Sequence, residues 1–95
     1  MSRARMTPLK TYEVTGELNP DVTGIYEDAG EYEGKRSYEL VGNGWFLWYS
    51  EDDWWYITPE RGTVTGKYWV RLDPAIEGDY NPIGTATGIA AVTEI

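Results

Sequence analysis

Residues 44–57, GWFLWYSEDDWWYI, hold half of the chain's aromatic side chains in fourteen positions. Two short apolar runs flank the acidic linker Ser50-Glu51-Asp52-Asp53, and four-residue linkers are common in β-hairpins. Read as a hairpin, residues 45–49 pair with 54–58, so that Tyr49 faces Trp54, Trp48 faces Trp55, Leu47 faces Tyr56 and Phe46 faces Ile57. Side chains alternate across a strand. One face then presents Phe46, Trp48, Trp55 and Ile57, whose only polar atoms are two indole N–H groups, and it is expected to be core. The other presents Trp45, Leu47, Tyr49, Trp54 and Tyr56. Rings with a polar edge suit a half-wet place. That face has three readings: a second core layer under residues 73–87, a protein interface, or a platform for stacking sugars.

The rest of the chain extends this all-β reading. Ninety-five residues make one domain, and a chain of this size needs a dense core. Five Trp, eight Tyr and one Phe supply it, since each ring buries roughly 150–250 Å². Eleven Gly and five Pro, with no amphipathic helical order, point to short strands and tight turns. Strands are expected in LKTYEVTG (9–16), IYED, AGEYEGKR, SYELVG, the two aromatic runs, KYWVRL and GIAAVTEI. Asn43-Gly44 is a hairpin signal. PERGTVTG reads as a loop, and residues 73–87, with two prolines, as an irregular link. In KYWVRL, Tyr68 and Val70 share one side. Lys67, Trp69 and Arg71 share the other, which places Trp69 in a cation–π stack or an exposed strip.

Two echoes recur. Gly-x-Tyr occurs at Tyr26, Tyr32, Tyr68 and Tyr80, where the glycine can adopt a turn's positive φ and the ring can cover the turn. NPDVTGI (19–25) resembles NPIGTATGI (81–89), as though two corners of one sheet were equivalent.

Charge divides the chain in two. Residues 1–10 carry Arg3, Arg5 and Lys10 and no acid, whereas the remainder holds five basic residues against sixteen acids. An acidic body repels nucleic-acid phosphates and anionic lipid, so neither nucleic acid nor membrane is an expected partner. Residues 1–10 read as a basic arm and 11–95 as a single β domain. The arm is either a solvated tail or a device that docks on an acidic surface, its own or a neighbour's.

Little chemistry is foreshadowed. With no Cys and no His, disulfides, thiol nucleophiles, histidine triads and Cys/His zinc sites are excluded. Glu51, Asp52 and Asp53 are the candidates for a paired-carboxylate hydrolase, but adjacent acids at a hairpin tip are commonly solvated turn formers. Asp21, Asp28 and these acids lack the spacing of a calcium loop. No catalytic residue, cofactor or metal is assigned.

The motifs N-P-x-x-T-G-x-Y (19–26), G-x-Y-x-G-K (30–35), L-W-Y (47–49), W-x-I (55–57), Tyr68-Trp69 and G-x-Y-x-P-x-G-x-A-T-G (78–88) together resemble a small Tyr/Trp-rich β module. That module recurs in bacteriophage structural proteins and as repeats in large proteins. The likeness spans residues 12–93 and leaves the arm outside. The related pattern usually has Asn where Glu33 stands, a position where Asn enters the left-handed turn conformation more readily. The resemblance implies a non-enzymatic protein located in the virion, either a capsid decoration (cement) protein or a minor head or tail component.

The expectation is therefore a small antiparallel sandwich or partly open barrel of seven or eight strands. It would pack against copies of itself and against other virion proteins, such as major capsid or tail proteins. Arg3, Arg5 and Leu9 would make arm contacts, and Trp45, Tyr49, Trp54 and Trp69 would form an exposed aromatic surface. The alternative is a carbohydrate-binding module in which that surface stacks a glycan and the acids at 51–53 bind its hydroxyls.

Overall fold

The computed structural model describes residues 9–95. They form an all-β fold of eight antiparallel strands: β1 Tyr12–Thr15, β2 Gly24–Tyr32, β3 Lys35–Leu40, β4 Phe46–Tyr49, β5 Trp55–Thr58, β6 Tyr68–Arg71, β7 Gly78–Ile83 and β8 Ala90–Glu94. Each strand pairs with the next, and β8 returns to β1, so the sheet is a closed up-and-down barrel. Closure leaves no unpaired edge for another chain to extend.

The barrel is filled by its own side chains. Tyr12, Val14, Tyr26, Tyr38, Leu40, Leu47, Trp55, Ile57, Trp69, Tyr80, Ala90 and Val92 meet inside, with Trp45, Tyr49, Leu18 and Ile76 packed against them. The buried tyrosines keep their hydroxyls bonded. Tyr26 donates to the Val22 carbonyl at 2.8 Å and Tyr80 to the Ile76 carbonyl at 2.7 Å. Both bonds reach back four residues over a glycine, Gly24 at φ 135° and Gly78 at φ 134°. The Gly-x-Tyr echoes thus fall into two pairs. Those at Tyr26 and Tyr80 turn a ring into the barrel, while Tyr32 and Tyr68 lie on its outer wall.

The two Asn-Pro corners also meet. Asn19 and Thr87 exchange backbone bonds of 3.2 and 2.9 Å, closing the end of the barrel opposite the start of β1. Backbone approach there is so close that a Cβ on Gly88 would collide with the Glu17 carbonyl. Only glycine fits a site of that kind.

The aromatic hairpin differs from the expected register by one residue. Tyr49 pairs with Trp55, Trp48 with Tyr56, Leu47 with Ile57 and Phe46 with Thr58. Ser50 donates to the Trp54 carbonyl at 2.9 Å, so the loop is the three residues Glu51-Asp52-Asp53, with Asp53 at φ 67°. A three-residue loop that ends in a left-handed residue is a standard hairpin connection. The slip leaves Trp55 and Ile57 inside but reverses β4. Leu47 and Tyr49 face the interior, and Phe46 and Trp48 face outward.

Outward does not mean wet. Trp48, Tyr56 and Val70 form a second buried cluster on the outer wall, with Tyr32, Phe46 and Tyr68 around it. The Trp48 indole donates to Thr58 Oγ1 at 2.8 Å, and Arg61, from the loop after β5, lies 5.0 Å from the Phe46 ring centroid. The second core layer therefore exists, but it packs beside residues 59–67 and not beneath 73–87.

Two other expectations change. Residues 78–83 are a strand, not part of an irregular link. Pro82 is accommodated opposite Trp69, while Tyr80 enters the core. IYED and AGEY form one nine-residue strand, its pairing with β3 broken by a bulge between Asp28 and Glu31.

Candidate functional site

The strands alternate in direction, so the two ends of the barrel carry different loops. One end gathers the start of β1, the β2–β3 turn, the β4–β5 loop, the β6–β7 loop and the chain after β8. The basic arm joins the domain here. Four of the large apolar side chains left exposed also lie at this end: Leu9, Trp54, Leu72 and Ile95, with relative exposures of 63, 38, 60 and 61 %.

Inside this rim is a cavity of about 320 Å³. Its floor is Tyr12, Tyr38, Trp55 and Ile76, and its edge carries Lys10, Lys35 and Arg36 together with Asp28. The Tyr12 and Tyr38 rings meet edge-on at 4.9 Å. Burial first, then the neighbouring Tyr38 and the Glu94 carboxylate, pushes the Tyr12 phenol well above its usual range. Lys10 pairs with Glu94 at 3.6 Å and Arg36 with Asp28 at 3.4 Å. Lys35 makes no ion pair among the described residues and lies 5.2 Å from the Tyr49 ring centroid.

On the outer wall of the same end is a groove of about 330 Å³. Tyr32, Trp48 and Tyr56 line it with Gly62 and Val64, and Glu33, Ser50, Glu51 and Asp52 ring it. Trp48 and Tyr56 stack at 5.0 Å, and Tyr32 meets Trp48 edge-on at 5.6 Å. The Tyr56 hydroxyl is shifted upward by burial and next by the charge of Asp52. At the hinge between groove and cavity, Tyr49 donates to Asp53 Oδ1 at 3.2 Å. Its phenol too is raised, by desolvation and then by that bond.

The residues expected at the surface are dispersed. Arg3 and Arg5 lie outside the described residues, and Leu9 stands on the rim. Trp54 is exposed at the hairpin tip. Trp45 and Tyr49 are half-buried against the core, Trp45 edge-on to Trp69 at 6.0 Å. Trp69 corrects its expectation outright. Its relative exposure is 0 %, and it is the largest fully buried side chain of the domain. The alternation read in KYWVRL holds, but the side bearing Trp69 faces the barrel interior. Only Arg71 at its end reaches the rim, where it bonds the Ala75 carbonyl at 2.8 Å.

Lys35, Arg36, Leu72 and Ile95 were not singled out by the sequence as site residues, and Glu33 was noted only for its turn. Tyr32 carried a signal in its Gly-x-Tyr echo, but nothing there told its outward ring from the inward ones. Among the described residues, no group of three acids is placed to hold a metal ion, and no helix is long and apolar enough to cross a membrane. No protein-family pattern matches the chain, and no curated protein or solved structure matches it either. The likeness to phage modules rests on its motifs alone.

Proposed function

We propose that this chain is a non-enzymatic structural module of a virion, a decoration protein of a phage head or a minor head or tail component. It would act by surface contact with copies of itself and with neighbouring virion proteins. The observation that carries this reading is the shared address of the arm and the exposed apolar rim: Leu9, Trp54, Leu72 and Ile95 all lie at the end where the arm joins. Apolar side chains gathered on one rim suit the core of an interface, although as many (Val41, Val64, Ile83 and Ile89) stand exposed elsewhere on the barrel. A single contact of this size is weak, but repeated contacts in an assembly add through effective concentration.

Light scattering on the full chain and on residues 11–95 tests it. A defined oligomer formed only by the full chain supports the arm as an assembly device. Trp54→Ala should weaken that oligomer without lowering the melting temperature. Two monomers would remove the support for self-assembly.

Carbohydrate binding is the second reading, favoured by the rings and carboxylates of the outer groove. There, however, Trp48 and Tyr56 are only 4 and 6 % exposed, and the half-buried Tyr32 already carries Arg61 over its ring. A glycan screen in which binding disappears with Tyr32→Ala would displace the assembly reading.

A further inference from the structure

The outer groove and the basic arm are complementary in charge and chemistry. Groove-lining residues include Glu33, Glu51 and Asp52 and no lysine or arginine. Residues 1–10 include Arg3, Arg5 and Lys10 and no acid. The groove's volume, about 330 Å³, suits one or two side chains and not a folded element.

Its rings suit a guanidinium in particular. The same cluster already holds one, the Arg61 guanidinium carbon lying 5.8 Å from the Tyr32 centroid and 5.0 Å from that of Phe46. Arginine stacks on aromatic faces and bonds carboxylates through its planar fork, so a site combining both favours it over lysine. The other acidic hollow, lined by Glu27, Asp28 and Glu39 beside β2 and β3, has no aromatic residue in its lining and offers charge alone.

Lys10 is tied to Glu94 at the seam of β1 and β8. In the cyclic strand order, the seam of β4 and β5 lies diametrically opposite. Eight strands spaced about 4.8 Å apart and tilted close a barrel roughly 15 Å across its backbone. Arg5 stands four residues before Leu9, a reach of at most about 14 Å. With its side chain, and with Arg3 two residues further out, an extended arm spans that distance, so the chain's own groove and a second copy's are separated by the mixing experiment below.

We propose that the groove formed by Tyr32, Trp48, Tyr56, Glu51 and Asp52 receives the basic arm of a second copy of this chain, with an arm guanidinium over Tyr32 and against the Glu51 and Asp52 carboxylates. This rests on the assembly reading above and names its contact. An arm-to-groove contact is head-to-tail, so it builds rings or open arrays and not a two-fold dimer.

Charge exchange between full-length chains tests it. Glu51 and Asp52 are exposed, so reversing them leaves the core untouched. E51K/D52K and R3E/R5E should each raise the concentration needed for half-assembly by about tenfold or more, with melting temperatures unchanged. Mixing the two should restore both heterotypic contacts, the original pair in one direction and the charge-swapped pair in the other, and give alternating hetero-oligomers by native mass spectrometry. The quadruple variant should assemble again, and E27K/E39K should assemble like the unaltered chain.

Restoration in the quadruple variant without hetero-oligomers in the mixture would place the arm in its own groove and overturn the proposal. So would loss of assembly in E27K/E39K but not in E51K/D52K. If the unaltered chain assembles and neither charge-reversed variant weakens it, the groove assignment alone falls. If the unaltered chain is monomeric at every concentration, the assembly reading falls with it.

Discussion

The indole N–H of Trp69 donates to the main-chain carbonyl of Gly88 at 2.9 Å, tying β6 to the turn that closes the far end of the barrel. The ring itself is fully buried and meets Trp45 edge-on. One side chain thus fills the interior and satisfies a carbonyl that the Asn-Pro corners enclose.

Trp69→Phe should destabilise the domain by about 2–4 kcal/mol, from lost volume and an orphaned carbonyl. Trp69→Ala should cost about 3–5 kcal/mol, a large share of the ~5–15 kcal/mol a domain possesses. Trp54→Ala, at an exposed loop tip, should change stability by less than about 0.5 kcal/mol. Urea midpoints of the three variants check the contrast. Equal effects at 54 and 69 would refute the burial assignment.

The Trp69 case also shows where the sequence stops being legible. Alternation in KYWVRL correctly grouped Trp69 with Lys67 and Arg71, but flanking cations suggested the wet side. Arg71 is a rim residue whose guanidinium bonds the Ala75 and Asp79 carbonyls, so it marks the end of an inward face and not an outward one. The hairpin failed for a different reason. Its register depends on whether the loop is three residues or four, and Asp53 takes the left-handed conformation that glycine would have announced. The all-β class and β5's inward Trp55 and Ile57 follow from period and turn chemistry, whereas the strand count agrees only because β2, read as two strands, offsets β7, read as link. Closure of β8 on β1 and the outer aromatic layer are set by long-range pairing that no local pattern encodes. The candidate site was legible only in part, because the rim joins residues from five separated segments.

Glu33 occupies the first central position of the β2–β3 turn at φ 54°, followed by Gly34 at φ 82°. Both central residues of a type I′ turn need positive φ, and Asn-Gly meets that need best. Glu33→Asn should therefore stabilise the domain by about 0.5–1 kcal/mol. At roughly 4–8 °C per kcal/mol for a domain of this size, the melting temperature should rise by a few degrees. A fall in calorimetric midpoint would mean that the Glu33 side chain makes a contact outweighing its backbone strain.

Arg61 crosses from the loop after β5 to the β2–β3 region, where its Nη1 donates to Ser37 Oγ at 2.9 Å and to the Ala29 carbonyl at 3.2 Å. Ser37 is fully buried and passes the chain on, donating to the Gly30 carbonyl at 2.9 Å. Arg61 also lies over Tyr32 and Phe46. A lysine ammonium lacks the planar fork and stacks less well, so Arg61→Lys should cost about 1–2 kcal/mol despite keeping the charge. Hydrogen exchange should show faster opening at residues 59–67 than in the barrel strands. Unchanged exchange there would show that the loop does not depend on this side chain.

Tyr26 and Tyr80 are held neutral by the barrel. Desolvation by burial is the largest cause of the upward shift of both phenols; at Tyr26 the Asp21 carboxylate adds to it, and at Tyr80 the Arg71 cation opposes it. A phenol is uncharged when protonated, so a raised folded value means that the native state keeps its proton where the unfolded state gives it up. Their contribution to stability is complete below the unfolded value near 10 and declines as pH rises above it. Each should remove about 1.4 kcal/mol per pH unit beyond that point, or nearly 3 kcal/mol per unit together. Absorbance at phenolate wavelengths should show Tyr26 and Tyr80 ionising only as the barrel unfolds cooperatively at alkaline pH. Tyr26→Phe should lower the slope of urea stability against pH above 10 by about 1.4 kcal/mol per pH unit, while also losing the bond to the Val22 carbonyl at all pH values. A smooth titration of every tyrosine in the folded protein would show that the interior admits the phenolate, contrary to the packing of the core.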